Sequence, residues 1–147
     1  MVKIVDVLST IKTLLDSDWL KANSDSLTPT VRVISEKKQI MMSDGDHILL
    51  YEINENIDSF GLGATDWAHD RVASIDIRTT YKRAEISDIR AHLIKIKDEV
   101  FRIIKANVAN PDTDHQLLVP LRRRDLSDKH TGVGRMVIDV SLKYWGN

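Results

Sequence analysis

The sequence predicts an α+β domain: a mostly antiparallel sheet with a long helix and an N-terminal helix packed on one face, in the order α-β-β-β-α-β-β. Three observations carry that reading. Ile86, Ile89, Leu93, Ile96, Val100, Ile103 and Ile104 recur at the three- and four-residue spacing of a single helical face. From Arg71 to Thr79 the residues alternate, with Ala73, Ile75 and Ile77 in one phase and Ser74, Asp76 and Arg78 in the other. That is the period of a strand whose sheet is covered on one side only, so the polar side should face solvent or a partner. Late in the chain, Met136, Ile138, Val140 and Leu142 repeat the same alternation.

The elements follow in order. Ile4, Val7, Leu8, Ile11, Leu14, Leu15 and Trp19 are spaced as the apolar face of an amphipathic helix, with Lys3, Asp6, Lys12 and Asp16 between them. Asn23 to Pro29 is rich in Ser, Asp and Asn, whose side chains compete for the backbone, and its proline cannot continue a helix. Val31 to Met42 and His47 to Ile53 read as two strands. Asp44-Gly45 between them suits the positive φ angles of a two-residue turn, which predicts a β-hairpin. Asn54 to Asp70 has no period and is expected to be a long loop, a length that in small domains usually goes with function or mobility. After the Arg71 strand, the long helix ends at Asn107 to Pro111. Gln116 to Arg122 and Arg135 to Lys143 are the last two strands, with a charged, glycine-containing hairpin tip between them.

A chain of 147 residues is long enough for one hydrophobic core and too short for two, so residues 1–147 are expected to form a single domain. Apolar residues at 42% and charged residues at 29% exclude the composition of a disordered chain. The formal charge of −1 argues against general attraction to nucleic acid or to an anionic membrane, so any charged partner must be met locally. Without cysteine there can be no disulfide, thiolate metal site or cysteine nucleophile. The segment Met1 to Asp6 lacks the features of a signal peptide, and no apolar run approaches the roughly 20 residues that span a bilayer. Secretion and membrane contact are therefore not expected, and synthesis in a cytoplasm is.

None of the polar groupings has the pattern of a catalytic or metal centre. Asp66 with His69 and Asp70, Asp112 with Asp114 and His115, and Asp128 with His130 lack a spacing that fixes metal geometry, and His92 on the flank of the long helix is expected to be exposed. Asp76 with Glu36 and Lys38 could be drawn as a nuclease centre, but Asp76 reads better as a salt-bridged residue of the sheet. Gly61-Leu62-Gly63 lacks the rest of a dinucleotide loop. The expectation is a protein that is not an enzyme and holds no cofactor or metal.

Two features suggest contact with partners. Arg122, Arg123 and Arg124, with Lys129, His130 and Arg135 nearby, concentrate positive charge at the expected hairpin tip. They could discourage edge pairing, meet an acidic surface on another subunit, or make a local contact with DNA as in a small nucleic-acid-binding accessory protein. Phe60 and Trp67 stand in the expected loop, where they either cap the core or anchor another protein surface.

The element order, with Ala73-Ser74-Ile75-Asp76-Ile77-Arg78-Thr79 running into a long helix and Arg135-Met136-Val137-Ile138-Asp139-Val140-Ser141 closing the sheet, resembles the tail terminator (tail completion) proteins of long-tailed viruses. The resemblance covers most of the chain in outline and is one of element order and size. It implies a structural virion protein that forms a closed homo-oligomer, typically a hexameric ring. Such a ring caps the tail tube protein and meets a head-completion or connector protein. It needs no catalysis, and Phe60, Trp67, Arg122, Arg123, Arg124, Lys129 and Arg135 are the candidate contact residues.

Overall fold

The computed structural model describes residues 7–20, 29–34, 45–59, 67–80, 86–108, 117–127 and 133–146. They form α1 (Val7–Asp18), β1 (Thr30–Val33), β2 (Gly45–Ser59), β3 (Trp67–Thr80), α2 (Ile86–Ala106), β4 (Leu117–Asp125) and β5 (Val133–Gly146). The predicted order α-β-β-β-α-β-β is the observed one. The five strands make one mixed sheet in the order β1-β2-β3-β5-β4. β2–β3, β3–β5 and β5–β4 are antiparallel, and β1–β2 is parallel.

Both helices pack on the same face. The stripe of α2 buries Ile89, Leu93, Ile96, Val100, Ile103 and Ile104, and α1 buries Val7, Ile11, Leu14 and Leu15. Against them the sheet presents Ile48 and Leu50 from β2, Ala73, Ile75 and Ile77 from β3, and Met136, Ile138, Val140 and Leu142 from β5. The alternating phases read from the sequence thus meet the two helical stripes in one core, which excludes water from both.

Polar contacts fix how the helices sit together. Arg102 on α2 donates from Nη2 to the carbonyl of Asp18, the last residue of α1, at 2.5 Å. Its Nε is held by the buried Glu99. Asn107 donates from Nδ2 to Asp18 Oδ2 and to the Ile103 carbonyl, each at 2.8 Å. A cation on a helix C-terminus satisfies a carbonyl left without an intrahelical donor and complements the helix dipole.

Two expectations are corrected. The strand at Thr30–Val33 does not form a hairpin with β2: Thr30 pairs with His47 and Val33 with Leu50 in parallel register. Gly45 has the positive φ, 132°, that its place beside Asp44 suggested, but it opens β2. A turn-compatible dipeptide specifies local backbone and not the strand that will pair, and parallel neighbours require a crossover. The remainder of the Val31 to Met42 expectation lies outside the described residues.

Asn54 to Asp70, expected as a loop, belongs largely to a long hairpin. Asn54 pairs with Val72, and pairing continues to Ser59 opposite Trp67. A bulge between Glu52 and Asn54 shifts the register and breaks the alternation, so the sequence loses its period where the strand continues. Across this region Arg71 binds Glu52 at 2.7 and 2.8 Å and lies 3.7 Å from Glu55. Burial pulls the Arg71 guanidinium down, but the hydrogen bond and charge of Glu52 and the charge of Glu55 hold it above its ordinary value.

One close approach yields a test. A Cβ added at Gly134 on β5 would lie 2.5 Å from Ile89 Cγ2 of α2. Gly134→Ala should therefore push the start of α2 off the sheet and cost about 1–3 kcal/mol. Denaturant unfolding measures it, and an unchanged midpoint would refute the close packing.

Candidate functional site

The sheet face turned away from the helices is built from the polar phase of the same strands. Register places Leu49, Asp76, Val137 and Arg124 in one row, and Tyr51, Ser74, Asp139 and Arg122 in the next. Paired residues in an antiparallel sheet point to the same side, so these rows face outward together. Among the described residues no helix or strand packs on this face. Yet Ser74, Asp76 and Asp139 are buried, and arginines of β3, β4 and β5 gather on the two carboxylates.

Two carboxylates organise the layer. Asp76 accepts from Arg135 Nη2 at 2.9 Å and Nε at 3.1 Å, from Arg78 Nη2 at 3.1 Å, and from the Tyr51 hydroxyl at 3.4 Å. Asp139 accepts from Ser74 Oγ at 2.7 Å and from Arg122 Nε, with Arg124 Nη2 at 3.5 Å. A third, Asp70, takes the hydroxyl of Ser141. The hydrogen bond that Arg135 donates to Asp76, then the charge of Asp76, holds the Arg135 guanidinium above its ordinary value against the effect of burial. Burial alone would push the Asp139 carboxyl up. The hydrogen bonds from Ser74 and Arg122 and the charges of Arg124 and Arg122 outweigh it and hold Asp139 below the usual carboxylate range.

The sign of that shift sets a pH dependence. A carboxyl depressed in the folded state stabilises the fold fully above its unfolded value of about 3.9, and that contribution is lost as the pH falls through the folded value. Asp139→Asn should cost about 2 kcal/mol at neutral pH, and its gap to the parent chain should close under acid. Urea unfolding from neutral pH down to about pH 3 measures this. A gap that stays constant across the range would refute it.

The candidate contact residues are thus dispersed. Arg122, Arg123 and Arg124 do not stand on a hairpin tip. They lie in β4, opposite Asp139, Ile138 and Val137 of β5. Alternation sends Arg122 and Arg124 to Asp139 on the open face and turns Arg123 to the helix side, where it is exposed. On that side Asp125 lies 3.6 Å from Arg90 of α2, and its carboxyl is held low by hydrogen bonds from Ser127 and then by the charges of Arg90 and Arg123. Arg135 is committed to Asp76. Phe60 and Lys129 lie outside the described residues, as do Glu36, Lys38, Asp66, Asp112, Asp114, His115, Asp128 and His130. Trp67 opens β3, its backbone paired with Ser59 and Gly146. Seven positions along β5 separate Gly146 from Asp139, roughly 23 Å, so Trp67 and the arginines occupy different ends of the sheet.

Asp76 is the salt-bridged sheet residue that the alternation implied. Asp139 was missed, although its signal was present: it sits in the polar phase between Ile138 and Val140, as Asp76 does between Ile75 and Ile77. His92 is half-buried and not fully exposed, with Nδ1 3.9 Å from Asp46 Oδ2. Among the described residues no group of three His, Asp or Glu side chains could hold a metal, and no helix is long and apolar enough to cross a membrane.

No family model matches the sequence, and no curated protein matches it. Among solved structures, a chain from the virion of a native gene transfer agent particle is similar over 95% of both chains, at 13% identity and a TM-score of 0.48. That likeness is too distant to carry an argument about function.

Proposed function

We propose that the chain is a structural virion protein of the tail terminator kind. It assembles as a closed ring of copies, six in the family it resembles, caps the tail tube and joins it to the head connector, and works without catalysis. One observation carries this reading. Among the described residues the sheet is covered by helices on one face only, while its other face carries an ion-paired layer and its two edges, β1 and β4, are different. Unlike surfaces favour head-to-tail contacts, and such contacts close into rings when the rotation per copy allows it. The element order α-β-β-β-α-β-β supports the same reading, since it is the order on which the resemblance rests.

Native mass measurement of the purified chain, alone and with polymerised tail tube protein, tests the proposal. The expected result is a closed oligomer, formed in solution or on tube ends, together with tubes of limited length. A chain that stays monomeric, ignores tubes and leaves their length unlimited would defeat it.

A further inference from the structure

We infer that the outer edge of β4 is a docking strand for an extended acidic segment of a protein partner, which adds to the sheet and sets carboxylates against Arg122 and Arg124. The inference rests on the reading of the chain as an assembly subunit and names the kind of segment this edge takes.

The backbone supplies the first argument. β4 ends the sheet. Among the described residues its outer-edge hydrogen bond is the one from Leu118 N–H to the Val108 carbonyl, 2.9 Å long, at the start of the strand. A bulge between Pro120 and Arg122 then interrupts the strand, and Arg122 to Asp125 form a regular stretch pairing inward with β5. Along such a stretch every second amide and carbonyl points away from the sheet, a template for one more strand.

Charge supplies the second. Arg122 and Arg124 share the single carboxylate of Asp139. Arg122 engages it through Nε alone, and its side chain is 63% exposed. Arg124 Nε is buried without a hydrogen-bond partner, a donor whose desolvation nothing offsets. A carboxylate arriving on the open face would satisfy both guanidiniums in the forked geometry arginine prefers. Leu121 and Leu126 flank the stretch at 54% and 43% exposure, an apolar contact that a peptide can use and a phosphate backbone cannot. Those leucines and the open backbone edge favour a polypeptide over nucleic acid.

Pro120, the bulge and three successive arginines also have a restraining effect. Such devices bar indiscriminate edge pairing. Here they leave a short window and repel basic strands, so the edge discriminates by charge as well as by attraction. An added strand would bring alternate side chains beside Arg122 and Arg124, about 4.8 Å away.

The test uses the full chain and a fluorescein-labelled octapeptide of alternating Glu and Val, followed by anisotropy and by backbone amide shifts. Binding should occur at low salt, perturb the amides of Arg122 to Asp125, and weaken about tenfold at several hundred millimolar salt. A Lys-Val peptide should not bind. Two peptides N-methylated on alternate amides give the decisive pair, since only the one blocked on its β4-facing edge should fail. Arg122→Ser with Arg124→Ser should weaken binding about tenfold. Because that variant also strips Asp139 of its cations, its melting curve is read alongside, and the methylated pair gives the answer without altering the chain. Absence of binding, equal binding of both methylated peptides, or tighter capture of a short DNA duplex by the same residues would overturn the inference. Native mass, with and without polymerised tail tube protein, separates the two readings. A ring without peptide binding removes the docking strand alone, and peptide binding by a chain that forms no ring either in solution or on tubes removes the assembly reading alone.

Discussion

Asp76→Ala should lower stability by about 3 kcal/mol and the melting temperature by roughly 10 °C. The carboxylate is fully buried at the centre of the sheet, and two guanidiniums and a phenol converge on it. Removing it leaves Arg78 and Arg135 next to each other across β3 and β5 without the carboxylate that balances their charges. Both arginines keep partial access to solvent, which limits the loss because they can turn outward and rehydrate. Much of the effect should therefore be the cost of a stranded charge, and Asp76→Ala combined with Arg135→Ala should lose less than the sum of the two single changes. A double-mutant cycle by denaturant unfolding measures the coupling. Strict additivity would mean that the buried carboxylate is not held by Arg135.

The adjacent residue should show the opposite face of the same strand. Ile75→Ala is expected to cost about 3–4 kcal/mol, because it empties a site fully enclosed in the core. Its cross-strand partners are Leu50 and Ile138, both fully buried, and they cannot collapse into the space without moving the strands that carry them. The two variants should differ in their response to salt. Loss of Ile75 is a transfer and cavity effect and should be nearly independent of ionic strength, whereas loss of Asp76 removes ion pairs to two partly exposed guanidiniums and should vary with it. Thermal unfolding at two salt concentrations distinguishes them. Matching profiles would break the assignment of the two faces.

Most of the architecture was legible in the sequence because periodicity is local. The stripe from Ile89 to Ile104 needed nothing beyond its own spacing to become the buried face of α2, and the phases of Ala73, Ile75 and Ile77 and of Met136, Ile138, Val140 and Leu142 assigned one sheet face to the core. The same alternation placed Asp76 on the polar side with a salt bridge. What it left open was the consequence: the polar side was expected to face solvent or a partner, and Ser74, Asp76 and Asp139 are buried within the chain itself. Burial of a polar group depends on what can reach over it, and apart from Arg78 the arginines gathered on Asp76 and Asp139 come from other strands or distant parts of the sequence.

The candidate site was less legible for the same reason. A run of three arginines reads as one basic cluster, yet in β4 alternation sends Arg123 to one side and Arg122 and Arg124 to the other, against an aspartate 17 and 15 positions further along the chain. Asp-Gly at 44 and 45 foretold a positive φ at Gly45 and not the parallel partner of β2, and the bulge after Glu52 hid a strand within an apparent loop. The sequence alone determined which segments are helix or strand over most of the described chain, their order and the side of each that enters the core, because those properties follow from residue spacing along one element. Only the tertiary structure decided which strands pair, in which direction, and which charges neutralise one another, because each depends on contacts between residues far apart in the chain.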